Sequence, residues 1–215
     1  DVLFLQPSAL SKISVTGLAA RRNGFINWAE AGSKRLIIED DYNGELRYTA
    51  RSITAFQAVY PEKTVYIGSF SKLLLPSVRI AYMVLPPFLC ERFVKRRDIY
   101  NQTCGKVEQL ALKEYIETGA LEKHLRRLRK LYSEKSRVFC RVLSELLPEN
   151  RYVLYESALT AAVKVCGRAD EIYRAARNAG IALAKTDKND EIRLCFAGIA
   201  EKDIYPALKA LTKCL

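Results

Sequence analysis

Short apolar runs rich in β-branched residues alternate with segments of helical length through the first half of the sequence, and this alternation limits the possible folds most strongly. The pattern predicts strands at 2–5, 35–40, 64–68 and 79–85. Residues 17–31 repeat their apolar positions at the period of an α-helix. A helix there supplies the crossover that two parallel strands need. We therefore expect an α/β fold with a mainly parallel sheet.

The pattern changes after residue 105. Residues 106–147 are predicted to be helical almost throughout, with an interruption near Gly119 and an end at Pro148. Further on, the sequence predicts strands at 152–154, 160–165 and 191–196, a helix at 169–179 and a last helix from Glu201. We expect two domains: residues 1–105 form the α/β layer, and residues 106–215 form a connecting helix and a smaller α+β domain.

Charge and hydropathy bear on location and partners. Lys and Arg outnumber Asp and Glu by 35 to 24, a formal net charge of +11 that favours an anionic ligand or partner. No apolar run approaches the roughly 20 residues of a membrane span, and the first residues do not resemble a signal peptide. We expect a cytoplasmic protein without a membrane partner. Because residue 1 is Asp and the single Met is Met83, the chain is expected to be part of a longer protein.

Cysteine and histidine usage limits the possible chemistry. The 6 cysteines contain no C-x-x-C pair, and His124 is the single histidine, so neither a metal site nor a disulfide framework is expected. The thiols are expected to be free and mostly buried. A single histidine also weakens any scheme based on a Ser-His-Asp or Cys-His arrangement.

Lys72 is the first candidate for chemistry, because it follows the third predicted strand in the segment Gly-Ser-Phe-Ser-Lys. Loops at the carboxyl ends of such strands are where α/β sheets bind ligands. A lysine amine that is partly removed from water loses its proton more easily and can form an imine with an aldehyde cofactor. Ser69 and Ser71 add hydroxyl donors suited to a phosphate group. A lysine that is simply exposed on a loop is the alternative.

Asp40 and Tyr42 stand at the end of the preceding predicted strand. Strand alternation places both on one face and Asp41 on the other. A carboxylate held against a pyridine nitrogen keeps it protonated and makes the ring an electron acceptor, while a phenol can donate to the ring oxygen. A turn carboxylate and a packed aromatic ring are the structural alternatives.

Two arginines complete the candidate set. Arg79 follows a predicted turn at Pro76, and its planar guanidinium suits a phosphate. Arg193 projects from the predicted strand 191–196 on the face opposite Ile192 and Leu194, where it could bind the carboxylate of a substrate. Each arginine taken alone could be an ordinary surface charge.

Taken in order, the motifs resemble the aminotransferase-like domain of MocR-type transcriptional regulators, which belong to the fold-type I pyridoxal 5'-phosphate superfamily. The resemblance covers nearly the whole chain. It rests on the segments IIEDDYNGELRY, VYIGSFSKLLLPSVRIAYMVLP, HLRRLRKLY and IRLCFA.

The resemblance implies a role for each candidate. Lys72 would be the catalytic lysine that carries the cofactor, Asp40 would pair with the pyridinium nitrogen, and Tyr42 would reach the ring hydroxyl. Ser69, Ser71 and Arg79 would hold the phosphate, and Arg193 would bind the carboxylate of an amino-acid or amine ligand. No metal is implied.

The chain also departs from the family pattern. Ser77 and Cys195 stand where the family usually has glycine, which adds a side chain near the expected site in both places. By the same resemblance, the chain is the carboxyl-terminal portion of the domain. The rest of the cofactor site and the winged helix-turn-helix that binds DNA would lie before Asp1, and a homodimer is implied for the full-length protein.

Three functions remain open at this stage. The first is the effector domain of a transcriptional regulator, which senses an amine or amino acid. The second is a stand-alone aminotransferase that moves an amino group between an amino acid and a 2-oxo acid, with Lys72 as the proton-shuttling base. The third is an α/β domain whose lysine is never modified.

Overall fold

The computed structural model describes residues 1–7, 15–42, 44–46, 54–155, 159–184, 186 and 188–215. Contacts between residues divide the chain into two units, Asp1–Arg127 and Leu128–Leu215. The sequence analysis placed the boundary of the predicted cofactor-binding domain at residue 105. That domain boundary stays a prediction. The contacts themselves group residues 106–127 with the first unit.

A four-stranded sheet lies at the centre of the first unit. Its strands are β1 (Val2–Leu5), β2 (Leu36–Asp40), β3 (Thr64–Ser69) and β4 (Ala81–Val84), side by side in that order. β1, β2 and β3 run parallel, whereas β4 is antiparallel to β3. The α/β fold with a mainly parallel sheet is thus confirmed.

The helices of the first unit are α1 (Val15–Glu30), α2 (Phe56–Val59), α3 (Pro87–Arg96) and α4 (Lys106–Glu117). Two of them, α1 and α4, overlap the predicted segments 17–31 and 106–147, whereas α2 was not predicted. A longer helix, α5 (Ala120–Leu146), begins in the first unit and continues into the second. The predicted interruption between the last two helices is real, since Gly119 has a φ of +71° that a residue with a side chain rarely adopts.

One face of the four-stranded sheet forms a core with α1 and α2. Leu5, Ile37 and Phe56 are buried together there. Ala29, on α1, has no exposed surface, because alternate residues of a strand and every third or fourth residue of a helix meet along this face. The Lys63 amine donates hydrogen bonds to the carbonyl oxygens of Ala29 and Gly32 and thereby fixes the end of α1.

The second unit has an antiparallel sheet of three strands, β5 (Tyr152–Tyr155), β6 (Thr160–Lys164) and β7 (Glu191–Cys195), in that order. Its remaining helices are α6 (Ala169–Asn178) and α7 (Glu201–Thr212). Ile192 and Leu194 of β7 are buried, as are Ile204 and Leu208 of α7. The predicted α+β character of this part agrees with this arrangement.

The expectation that the thiols are mostly buried was wrong. All 6 cysteines are free, but Cys90, Cys166 and Cys195 are exposed and the other three are half-buried. The reason is positional: Cys195, for example, occupies the face of β7 opposite its buried aliphatic residues. Among the described residues, no helix is both long and apolar enough to cross a membrane.

Candidate functional site

The three parallel strands end at one edge of their sheet, and polar side chains collect at that edge. Gln6 follows β1, Asp40 ends β2 and Ser69 ends β3. The register pairs Leu5 with Glu39 and Asp40 with Ile67, so Gln6 lies beside Asp40 and Ser69 lies two residues beyond the partner of Asp40 at the same edge. This carboxyl edge is where parallel sheets place their ligands.

Asp40 is held by a side chain that the sequence analysis did not select. Gln6 Nε2 donates a hydrogen bond to Asp40 Oδ2 at 3.0 Å, and both residues are half-buried. An amide donor on one oxygen fixes the direction of the carboxylate. The signal for Gln6 was its position, since it is the first polar residue after β1 at the same edge as Asp40.

Lys72 and Tyr42 meet at this edge although they are distant in sequence. Lys72 Nζ lies 4.5 Å from the centroid of the Tyr42 ring, within the range of a cation–π contact. Tyr42 is half-buried and Lys72 is exposed. The aromatic ring therefore contributes to the position of the amine on this loop.

Hydrogen bonds fix the loop that carries Lys72. The Ser71 N–H donates to Ser69 Oγ at 3.2 Å, and the N–H groups of Leu73 and Leu74 donate to the Phe70 carbonyl at 3.1 and 2.9 Å. From α5, His124 Nε2 donates to the Leu73 carbonyl at 2.8 Å. Hydrogen bonds therefore hold the backbone before and after Lys72 in a tight turn. The His124 side chain stabilises this turn.

Arg79 lies across from the same loop. It has a φ of +49°, in the left-handed region, and closes the turn formed by residues 76–78. The Phe70 N–H donates to the Ile80 carbonyl at 3.0 Å, which extends the β3–β4 pairing as far as the residue next to Arg79. The turn therefore brings the arginine to the Ser69–Ser71 segment, with its side chain exposed. The strand predicted at 79–85 begins two residues later for this reason.

Glu39 and Asp40 are neighbours in sequence but lie on opposite faces of the sheet. Glu39 is 1% exposed and accepts a hydrogen bond from the Gln57 N–H at 3.1 Å, at the start of α2. Burial raises the pKa of Glu39, although hydrogen bonds from the Phe56 and Gln57 backbones oppose the shift. Glu39 is thus a buried structural group, whereas Asp40 is at the candidate site.

Two tyrosines pack against the backbone just before Ser69. Tyr66 on β3 and Tyr82 on β4 have ring centroids 6.1 Å apart, and burial raises the pKa of both phenols. A Cβ added to Gly68 would lie 2.3 Å from Tyr82 Cζ. The glycine is therefore required for the Tyr82 ring to cross the strand at this point.

Arg193 lies in the second unit, on β7. It projects from the face opposite the buried Ile192 and Leu194, as predicted from strand alternation. Arg193 Nη2 lies 3.6 Å from Glu191 Oε1. Within the described part of the chain, no group of three or more His, Cys, Asp and Glu side chains could hold a metal ion.

No protein-family model matches the chain, but curated proteins do. It is 31% identical over 222 residues to the uncharacterized HTH-type transcriptional regulator YdeL of Bacillus subtilis, an alignment of 98% of this chain and 48% of that protein. It is 38% identical over 104 residues to the probable rhizopine catabolism regulatory protein MocR of Rhizobium meliloti, which covers 48% of this chain and 21% of that protein. The chain thus spans about half the length, or less, of these relatives.

A solved structure shows the same fold. The kynurenine aminotransferase of Pyrococcus horikoshii, in complex with PMP, KYN as substrates and KYA as products, matches with a TM-score of 0.75 and 26% identity. The match covers 91% of this chain and 51% of that chain. The two sets of relatives agree with the resemblance found in the sequence: a MocR-like, aminotransferase-like domain of fold type I.

Proposed function

Since this chain is a MocR-like, aminotransferase-like domain, we propose that it is the carboxyl-terminal portion of the pyridoxal-phosphate-binding, effector-sensing domain of a transcriptional regulator. The observation that carries the proposal is the position of Lys72 over the Tyr42 ring at the carboxyl edge that also holds Asp40 and Ser69. The likeness to a regulator along 98% of the chain supports the regulatory role.

The side chains at this edge fit the cofactor chemically. Its aldehyde needs an amine, its pyridine nitrogen a carboxylate, its ring oxygen a phenol and its phosphate hydroxyl and guanidinium donors. Lys72, Asp40 and Tyr42 supply the first three groups. Ser69 Oγ accepts a hydrogen bond from the Ser71 N–H, so the Ser69 hydroxyl is oriented before a ligand arrives.

The candidate residues would divide the binding of the cofactor and of its amine ligand among them. Pyridoxal phosphate, when bound, supplies an aldehyde that captures amines and a ring that accepts electrons. Lys72 would hold the cofactor through Nζ, with Tyr42 beneath the amine and donating to the ring oxygen. Asp40, oriented by the Gln6 amide, would keep a proton on the ring nitrogen. Ser69, Ser71 and Arg79 would bind the phosphate, and Arg193 would bind the carboxylate of the amine ligand.

The regulatory reading extends beyond this chain. An amino-acid or amine effector would displace the Lys72 amine, and that exchange would alter how the full-length protein engages DNA through a domain outside these residues. We place the protein in the cytoplasm and expect the full-length form to be a homodimer. Both finer statements rest on the likeness to HTH-type regulators and aminotransferases.

A stand-alone aminotransferase is the second candidate. The kynurenine aminotransferase shares the fold at 26% identity, and a 2-aminoadipate transaminase of Thermus thermophilus is 31% identical over 157 residues. In that case Lys72 Nζ, once released from the cofactor, would also be the base that takes a proton from the Cα of the substrate and returns it to the former aldehyde carbon of the cofactor.

Covalent labelling tests the assignment of Lys72. The full-length protein is incubated with pyridoxal phosphate, reduced with borohydride and digested, and the labelled peptides are identified by mass spectrometry. We expect one dominant label on Lys72. Lys72→Arg keeps the positive charge over Tyr42 but cannot be labelled, and Lys113→Arg, on an exposed lysine of α4, keeps the Lys72 label. Label spread equally over several surface lysines in all three proteins would refute the assignment.

Turnover separates the two candidate functions. With an amino acid that changes the cofactor absorbance and an excess of 2-oxo acid, an aminotransferase makes many equivalents of product. The regulator makes no more than about one equivalent per site. Sustained turnover would replace the regulatory proposal by the aminotransferase.

A further inference from the structure

One face of the second sheet carries a polar group whose burial calls for an explanation. Thr160, on β6, is 9% exposed, and its Oγ1 has no hydrogen-bond partner among the described residues. Buried hydroxyls are nearly always hydrogen-bonded, because a buried donor without a partner has lost its bonds to water. Such a group is a candidate for contact with a ligand.

The register places this hydroxyl beside Arg193. Thr160 pairs directly with Cys195, and Ala162 pairs with Arg193. Side chains of paired residues, and of residues two apart on one strand, share a face of a sheet. Thr160, Arg193 and Cys195 therefore lie on one face, with about 5 Å expected between directly opposite Cβ atoms and about 7 Å along the diagonal.

The opposite face of β6 and β7 is buried in the core of the second unit. Ala161, Val163, Ile192 and Leu194 are buried. The hydrogen bond from the Phe196 N–H to the Leu159 carbonyl, at 3.1 Å, continues the pairing beyond Thr160 and Cys195 and fixes their relative positions. On the face with Thr160, Ala162 is also buried, whereas on β7 the Arg193 side chain is partly exposed and Cys195 is exposed, so a ligand can approach that face along β7.

Charge and exposure on this face favour a carboxylate ligand. The Arg193 side chain is 43% exposed, and Glu191 Oε1 lies 3.6 Å from its Nη2, so a carboxylate already occupies one side of the guanidinium. Lys188 Nζ lies 3.9 Å from the same Glu191 oxygen. Cys195 is exposed on the same face.

We propose that Thr160 is a specificity-determining residue: its Oγ1 donates the second hydrogen bond to a carboxylate held by Arg193, with the Cys195 thiol at the rim of the same subsite. The proposal rests on the proposed function in one respect, the assignment of a carboxylate to Arg193. It adds a hydroxyl donor and a thiol that together favour a small, polar carboxylate over a bulky apolar ligand.

Alkylation of Cys195 in the full-length protein tests the subsite without any knowledge of the natural ligand. Iodoacetate and iodoacetamide both alkylate a thiol through their CH2 carbon, with iodide as the leaving group. Only iodoacetate carries a carboxylate. The ratio of the two rates at Cys195, measured by peptide mass spectrometry, therefore reports carboxylate binding next to the thiol. Cys90, on α3, is the exposed reference within the same sample.

We expect Thr160→Val, which removes the hydroxyl at nearly constant volume, to lower the iodoacetate-to-iodoacetamide ratio at Cys195 by about tenfold, as for loss of a hydrogen bond to a charged group. Thr160→Ser should keep the ratio, and neither variant should change the iodoacetamide rate or the ratio at Cys90. Arg193→Gln should abolish the preference for iodoacetate.

Three outcomes would overturn the proposal. The wild-type ratio at Cys195 could equal that in Arg193→Gln, or Thr160→Val could leave the ratio unchanged. A change in the iodoacetamide rate in Thr160→Val would show that the threonine acts through packing of the thiol. The assay needs no cofactor, so its result is separate from labelling at Lys72, which tests the proposed function.

Discussion

Replacing Gly68 by alanine is a sharp test of the packing that positions Ser69 and the Lys72 turn. The added Cβ would lie 2.3, 2.5 and 2.6 Å from Cζ, the hydroxyl oxygen and Cε1 of Tyr82. Ordinary contact needs more than 3.4 Å, so the ring has to move by about an ångström or more. That movement strains the packing of Tyr82 against Phe70, whose ring centroid is 5.5 Å away.

The expected cost is the balance of two opposing effects. Inserting a methyl group into a packed contact costs about 1–3 kcal/mol. Alanine in place of glycine in a strand recovers about 0.5–1 kcal/mol, because the unfolded chain loses less freedom. Taking the middle of each range, we expect Gly68→Ala to lower the free energy of unfolding by about 1 kcal/mol. Tyr82 is 40% exposed, so its ring can swing outward, which keeps the cost from rising further.

Gly24 offers the matched control for this substitution. It is exposed in the middle of α1, and a Cβ added there would have nothing within 4 Å. Gly24→Ala should therefore raise the free energy of unfolding by about 0.5–1 kcal/mol, through helix propensity alone. The same chemical change is thus predicted to act with opposite signs at the two positions.

Urea unfolding monitored by circular dichroism measures these differences, provided that the variants share one m-value. The double variant Gly68→Ala/Tyr82→Ala completes a cycle that isolates the contact between the two residues. The reasoning requires the cost of Gly68→Ala to vanish when Tyr82 is absent. A Gly68→Ala protein as stable as wild type, or a cost that persists without the Tyr82 ring, would refute it.

Two further stability predictions follow from the core of the first unit. Phe56 has no exposed surface, and its ring centroid lies 6.1 Å from that of Phe25. Phe56→Ala should lower the free energy of unfolding by about 3–5 kcal/mol, and Phe56→Leu should lower it clearly less, in the same urea assay. Equal losses for the two variants would argue against a filled core. Burial raises the pKa of Glu39 above its ordinary 4.5, so the folded state binds the proton more tightly than the unfolded state. Stability from this group is present below the unfolded pKa and is lost as the pH rises through the folded pKa. Urea titrations at several pH values should show this decline in wild type and not in Glu39→Gln, and parallel curves would contradict the assignment.

Much of the fold was predictable because the buried faces of strands and helices appear in the sequence as apolar residues at a regular spacing. The strand predicted at 2–5 has those bounds in the structure, and the break near Gly119 separates α4 from α5. The strand predicted at 79–85 is shorter, because the left-handed backbone of Arg79 cannot continue an extended segment. The antiparallel direction of β4 could not be predicted from the sequence. A run of apolar residues does not show whether the strand runs parallel or antiparallel to the strand beside it, here β3.

The candidate site divides in the same way. Asp40, Ser69 and Lys72 could be selected as candidates because each follows or ends a strand, and strand ends are visible in the sequence. Gln6 was missed because its importance lies in a hydrogen bond across to β2. The burial of the thiols was predicted wrongly, since cysteine hydrophobicity says nothing about which face of a strand or helix the residue occupies.

The sequence by itself determined the order of the elements, the alternation that separates Glu39 from Asp40, and the motif that singles out Lys72. Each of these depends on residues within a few positions of one another, where backbone geometry acts directly. Only the tertiary structure decided that Lys72 lies over Tyr42, that Gln6 holds Asp40, and that Thr160 shares a face with Arg193. Those relations depend on which strands become neighbours and in which register, and burial of the whole apolar surface selects that pairing.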